Sequence, residues 1–141
     1  WDDAEFKPGS TVKLVSDTKI RRVILCSGKV YYDLLEEREK RGVDDVYLLR
    51  VEQLYPFPAH SLIGELQRFK DAEMIWCQEE PKNMGSWFFM EPNIEWVLDK
   101  IGAKHKRAQY VGRQAAASPA TGLMSRHKQE LEEFLNEAFA F

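Results

Sequence analysis

Ala72-Glu73-Met74-Ile75-Trp76-Cys77-Gln78-Glu79-Glu80-Pro81-Lys82-Asn83-Met84-Gly85-Ser86-Trp87 passes without a break from an apolar run, through two carboxylates and a Pro- and Gly-bearing segment, into a new aromatic run. The apolar run has the length and content of a buried strand, Pro81 and Gly85 interrupt any regular pattern, and apolar periodicity resumes at Trp87. The stretch predicts a strand over 72–77, a loop over 78–86 and a helix beyond. In open α/β sheets, loops leaving the carboxyl ends of strands are where function collects.

The same alternation extends outward in both directions. Arg22 to Cys26 is a β-branched and apolar run ending at Ser27-Gly28, after which Val30, Tyr31, Leu34 and Leu35 fall at helical spacing until Gly42. Val46 to Val51 repeats the strand signal. Tyr55-Pro56-Phe57-Pro58 then forces extended backbone ahead of a helix with an apolar face of Leu62, Ile63, Leu66 and Phe69. Downstream, Ile94, Val97, Leu98 and Ile101 continue the stripe begun at Trp87; Pro92 inside it calls for either a kink or a fresh start. Arg107 to Val111 is a fourth strand and Gly112 to Ser118 a loop. A terminal helix carries Leu123, His127, Leu131, Phe134, Leu135, Ala138 and Phe139 on one face, with Ser118 as N-cap and Pro119 in its first turn. Residues 1–20 read as a lead-in with a possible short strand at Val12 to Val15, and 21–141 as one domain. Alternating strands and helices argue a largely parallel sheet covered on both faces.

At 141 residues the chain suits one domain with a single sizeable core. Its 20 basic and 23 acidic residues give a net charge of −3, which offers no reason to expect nucleic acid or a membrane surface as partner. Two cysteines, Cys26 and Cys77, each lie in an apolar run, which suggests buried thiols in a reducing compartment. No metal-ligand spacing, signal peptide or bilayer-length apolar run is present, so a soluble intracellular protein is expected. The first residue is Trp1, as a fragment of a longer polypeptide would show.

Several groups are candidates for chemistry. Ser27-Gly28 between strand and helix could lay amides against a phosphate, although one Gly is already explained by the turn. Glu79 and Glu80, adjacent on extended backbone, point to opposite sides and cannot easily share a proton. With Asn83, Met84 and Trp87 they belong to a shaped loop that suits an interface better than a catalyst. The segment Arg113 to Gly122 combines small residues with a helix start, and Arg113, Ser118, Thr121, Arg126 and His127, joined by Lys104 and Lys106, could hold an anion. The alternatives are close packing, an internal ion pair at Arg113 and a packed, hydrogen-bonded His127. Trp87, Phe88 and Phe89 in succession cannot all face one core, so at least one is expected at the surface or under a partner.

Leu25 to Leu34, Arg50 to Pro58, the Trp76 to Trp87 stretch, and Tyr110-Val111-Gly112-Arg113 with Ala117 to Gly122 and His127 together resemble the carboxy-terminal domain of 2-oxoglutarate dehydrogenases, in order and spacing, from about Arg21 onward. The resemblance implies a three-layer α/β domain of the transketolase carboxy-terminal kind, with about five strands and one antiparallel edge strand. It also implies a parent that uses thiamine diphosphate and magnesium to decarboxylate 2-oxoglutarate and passes the succinyl group to a dihydrolipoyl succinyltransferase, in a bacterial cytoplasm or a mitochondrial matrix. Relatives acting on 2-oxoadipate, and multifunctional decarboxylases, share these motifs. The chain has no Gly-Asp-Gly followed by Asn to hold magnesium diphosphate, so no catalytic residue and no cofactor are expected in it. Its expected partners are the preceding domains and second subunit of the parent, and as an alternative role it would bind a nucleotide or acetyl coenzyme A effector.

Overall fold

The computed structural model describes residues 12–117 and 124–140. Four strands form the sheet: β1 (Arg22–Cys26), β2 (Val46–Arg50), β3 (Glu73–Gln78) and β4 (Gln109–Gly112). They lie in the order β2-β1-β3-β4, and every pairing is parallel. Helix α1 (Val30–Arg41) follows β1, and α2 (Ala59–Leu66), extended by a 3-10 turn at Gln67–Phe69, follows β2. Helix α3 (Trp87–Ile101) follows β3, and α4 (Met124–Ala138) follows β4.

Period-two alternation in β1 shows why the sheet is covered on both sides. Val23 and Leu25 face a core shared with Leu62, Leu66, Met90, Ile94 and Val97 of α2 and α3. Ile24 and Cys26 face a second core with Leu34 of α1 and Phe134 and Leu135 of α4. Each large side chain buried this way contributes roughly 1.5–3 kcal/mol relative to exposure. The three-layer α/β architecture expected from the sequence is therefore present.

Differences from expectation have local causes. Residues 12–15 form no strand: the Val15 N–H bonds the Asp44 carbonyl at 2.9 Å, while Leu14 and Val15 pack against the α2/α3 core. Among the described residues there is accordingly no antiparallel edge strand. Strand β4 begins two residues later than its apolar content suggests: its ladder with β3 starts at Gln109 opposite Ile75, while Arg107 pairs with Glu95 of α3 at 3.3 Å and Ala108 is buried beside the core. Strand β3 extends to Gln78, which stands in register with Gly112. Helix α3 runs through Pro92 as one element. The cap at Ser118 and Pro119 and the apolar position Leu123 lie outside the described residues.

The last helix is held near its carboxyl end by a buried arginine. Arg22 donates to the Ala138 carbonyl at 2.8 Å and to Glu73 Oε2 at 2.8 and 3.0 Å. A cation at the carboxyl end of a helix also complements its dipole.

Candidate functional site at the carboxyl edge of the sheet

The order β2-β1-β3-β4 makes the chain reverse its winding between β1 and β3, and in open α/β sheets the crevice outside that point is where ligands bind. Four connections meet at this edge: Ser27 to Lys29 after β1, Val51 to Pro58 after β2, Glu79 to Ser86 after β3, and Arg113 to Ala117 after β4.

Gln78 shapes the third of these. Its side chain is buried beneath the loop at 2% residue exposure. Oε1 accepts from the Trp76 indole N–H at 2.9 Å and from the Trp87 backbone N–H at 3.1 Å. Nε2 donates to the carbonyls of Glu80, Pro81 and Met84 at 3.2, 2.9 and 2.7 Å. One amide thus satisfies the entrance of α3, the indole beneath it and three carbonyls of the turn, groups that would be costly to bury alone. Gly85 has φ +66°, and a Cβ there would lie 3.0 Å from Glu80 Oε2 and 3.2 Å from the Gln78 amide, so both its conformation and its space favour glycine.

The third and fourth connections are stitched together. Asn83 Nδ2 donates to the Ala116 carbonyl at 2.8 Å, and the Ala116 N–H returns to Asn83 Oδ1 at 2.9 Å. The Lys82 N–H and the Tyr110 hydroxyl both donate to the Arg113 carbonyl, at 3.1 and 2.6 Å. Burial, with neighbouring acidic groups, raises the pKa of the Tyr110 hydroxyl. Gly112 permits the close approach: a Cβ would stand 2.6 Å from the Tyr110 hydroxyl and 2.8 Å from the Gln78 carbonyl.

Arg113, 7% exposed, is the centre of the charged part. Nε donates to Glu130 Oε2 at 3.1 Å and Nη1 to the Glu79 carbonyl. Nη2 reaches the His127 carbonyl at 3.4 Å and lies 3.3 Å from His127 Nδ1, and the guanidinium packs over the Phe134 ring at 5.2 Å. The Glu79 carboxylate pairs with Lys29 at 3.0 Å and lies 4.0 Å from His127 Nε2. This chain of charges spans the reversal point from β1 to α4. The hydrogen bond and charge of Glu79 raise the Lys29 pKa; burial, then the charge of Glu79, raises that of Asp33 in the first turn of α1.

Arg113 and His127, grouped by the sequence reading, lie together; Glu79, which that reading assigned to the separate rim, joins them, and Arg126 meets Glu130 at 3.5 Å. The internal ion pair is what the Arg113 guanidinium forms, so its donors are spent on the protein. Lys104 and Lys106 do not belong to this cluster. They precede β4 at the opposite edge, where the Lys104 N–H bonds the Lys70 carbonyl at 2.8 Å, and a four-residue strand of roughly 13 Å separates them from Arg113. Trp87 is 4% exposed, because its side chain packs in the α2/α3 core, and its backbone N–H is tied to Gln78, so it offers almost no surface to a neighbour. Met84 is half-buried; Asn83 and Glu80 are exposed. Ser118 and Thr121 lie outside the described residues. The Gly28 N–H is taken by Glu52 Oε1 at 3.3 Å, which disfavours a phosphate there. Gln78 was missed in the sequence; a polar residue ending an apolar strand between two tryptophans was the signal that could have found it.

The donor set does not fit magnesium diphosphate. Among the described residues no group of three His, Cys, Asp or Glu side chains could hold a metal ion, and Glu79 and Glu130 already face cations of the protein. No helix among the described residues is long and apolar enough to cross a membrane.

Comparison with known proteins gives one family. The model described as 2-oxoglutarate dehydrogenase C-terminal matches residues 3–139. The 2-oxoglutarate dehydrogenase E1 components of Brucella anthropi and Brucella ovis are each 69% identical over 138 residues, covering 98% of this chain and 14% of those proteins. The chain therefore spans about one-seventh of the length of the curated relatives it matches. With a family model covering nearly the whole chain, and relatives 69% identical over 138 of its residues, this polypeptide belongs to the 2-oxoglutarate dehydrogenase carboxy-terminal family.

Proposed function

We propose that the chain is the carboxy-terminal domain of a thiamine diphosphate-dependent 2-oxoglutarate dehydrogenase E1 component. In this role it performs no chemistry itself: its carboxyl-edge loops form a rigid rim against another domain or subunit of the parent. The observation that carries this is the bonding of the Glu79 to Ser86 loop. Gln78 holds it from beneath and Asn83 from the side, while Glu80 and Lys82 remain exposed at its crest. A loop held in one shape before its partner arrives loses little entropy on docking.

In the parent, thiamine diphosphate would supply the nucleophilic carbon that adds to the 2-oxo group and the electron sink for the pair left as CO2 departs, and residues outside this chain would hold it. The residues of this chain orient the rim and exclude water from it. The alternative role, a regulatory nucleotide or coenzyme A module, is less well supported, since Arg113 would have to leave Glu130 and the Glu79 carbonyl to take a phosphate.

Calorimetric titration of the 141-residue chain with thiamine diphosphate, AMP and acetyl coenzyme A tests the proposal, alongside 2-oxoglutarate decarboxylation by the full-length polypeptide. No binding by the chain and thiamine-dependent turnover by the full-length protein are expected. Tight binding of thiamine diphosphate to the chain alone would overturn the assignment, and saturable AMP binding abolished in Arg113→Ala would favour the regulatory role.

A further inference from the structure

The connection between α3 and β4 concentrates positive charge at the amino edge of the sheet. From Lys100 to Arg107 it holds Lys100, Lys104, Lys106 and Arg107 and not one carboxylate. The Lys104 N–H donates to the Lys70 carbonyl at 2.8 Å, which brings a further cation alongside from the turn before β3. All five of these side chains are exposed. Two of them have work within the domain: Arg107 pairs with Glu95, and Lys100, in the last turn of α3, answers the helix dipole and lies over the Trp96 ring at 5.3 Å. Lys70, Lys104 and Lys106 have no carboxylate partner among the described residues.

The loop that carries them is pinned. Ala103 and Ala108 are buried on either side of Lys104 and Lys106, and the Ala103 N–H closes on the Leu98 carbonyl at 3.0 Å. Holding like charges together on a fixed backbone opposes folding, whereas a partner of opposite charge turns the same arrangement into attraction. Elsewhere cations are set singly against acids, as Arg21 is with Asp45 and Arg41 with Glu37.

We propose that this loop, with Lys70 beside it, is a docking surface for an acidic segment of a partner protein, at the edge of the sheet opposite the Glu79 to Ser86 rim. Three features favour carboxylates over a nucleic acid backbone. Ammonium groups on flexible stems suit scattered carboxylates, while the one guanidinium, the group that forks onto phosphate, is already turned to Glu95. Asp71 and Asp99 border the positive surface and the chain as a whole carries −3, so a long polyanion would run off it onto acidic surface. The Trp96 ring, the nearest platform for a base, has Lys100 over it. The proposal uses neither the family assignment nor the thiamine chemistry, so it can fail without either.

Fluorescence anisotropy of a labelled decapeptide of alternating Asp and Glu, titrated with the 141-residue chain at low salt, tests it. Saturable binding is expected, falling as added salt screens the pairs. Lys104→Gln with Lys106→Gln should weaken it about tenfold, as the loss of two exposed ion pairs near the upper end of their usual worth would, and Lys104→Arg with Lys106→Arg should preserve it. Lys40→Gln with Lys128→Gln removes the same charge from exposed positions on α1 and α4 and should leave binding unchanged. No binding by the wild-type chain would overturn the proposal, as would equal weakening in the two Gln pairs, which would make the attraction one of net charge. So would tighter binding of a single-stranded oligonucleotide of the same length through the same lysines; the surface would then be one for nucleic acid. Relief of repulsion means that the thermal midpoint of the Lys104→Gln, Lys106→Gln variant should not fall; a fall would show that the two lysines serve the fold, and would overturn the proposal as well.

Discussion

Replacing Gln78 by Leu keeps the side-chain volume close to that of the amide and removes every hydrogen bond it makes. Three of those bonds are buried: to the Trp76 indole, to the Trp87 N–H and to the Pro81 carbonyl. The bonds to the Glu80 and Met84 carbonyls are partly buried, so water can replace them at smaller cost. Leaving a buried donor or acceptor without a partner costs about 1–3 kcal/mol, and the low end for each of three gives a loss of about 3–4 kcal/mol once the loop relaxes. Against a domain stability of roughly 5–15 kcal/mol this is a severe destabilisation. Gln78→Glu makes a sharper test, because it keeps an acceptor for the two N–H groups but turns the donating end into an oxygen facing three carbonyls. Burial and those carbonyls would raise the folded-state pKa of the new carboxyl above its unfolded value. Its penalty should be full at neutral pH and shrink as pH falls through that folded-state value, where the protonated group can donate one bond. Urea unfolding followed by tryptophan fluorescence measures both variants. A Gln78→Leu loss below about 1 kcal/mol would refute the claim that this amide organises the loop.

Other outcomes follow from neighbouring features. Gly112→Ala should destabilise by about 1–3 kcal/mol, since its Cβ would overlap the Tyr110 hydroxyl and the Gln78 carbonyl. Adding Tyr110→Phe should restore only part of that loss, because the backbone clash stays; full rescue would place the strain in the hydroxyl alone. Asp33→Asn should raise the urea midpoint at neutral pH, since burial and then Glu79 raise the pKa of the Asp33 carboxyl. By linkage the charged form is the disfavoured one, so the gain should vanish below the ordinary value of 3.8, and an unchanged or lower midpoint at pH 7 would contradict it. Cys26 and Cys77 are buried register partners on β1 and β3, and burial, then the neighbouring Cys26, pushes the Cys77 thiol pKa up. Both should resist an aromatic disulfide reagent in the native protein and react fully in denaturant; fast native reaction of either would show the sheet opening locally.

Much of this was legible in the chain. Arg22 to Cys26, Val46 to Arg50 and Glu73 to Cys77 announce themselves as short apolar runs bounded by turn residues, and the helices between them by spaced apolar positions. The interiors of these elements carry the signal; the ends are decided by tertiary partners. Gln78 joins β3 through Gly112, its partner in the β3–β4 ladder, and that ladder opens only at Gln109 opposite Ile75, which leaves Arg107 outside β4. The candidate site was less legible. Arg113, Glu79 and His127 converge because β3 and β4 end together under α4, but Lys104 and Lys106, close in sequence, are carried to the far edge by the length of one strand. Whether Arg113 is free or engaged depends on Glu130, seventeen positions away, and no local pattern encodes that pairing.

Helix α4 has a guanidinium near each end: Arg113 grips Glu130 and the His127 carbonyl toward its start, and Arg22 the Ala138 carbonyl at its finish. Arg22 opens the central strand β1 at the amino edge of the sheet and Arg113 follows β4 at the carboxyl edge, so the helix is clamped across the β-layer like a beam between two brackets. Pulling on it from beyond Ala138 would load β1 through Arg22 before disturbing the charge chain at the other margin. A cut removing the last helical turn would do more than shorten the helix, for it would take from the buried Arg22 the carbonyl that its Nη1 donates to, while the ion pair with Glu73 stays.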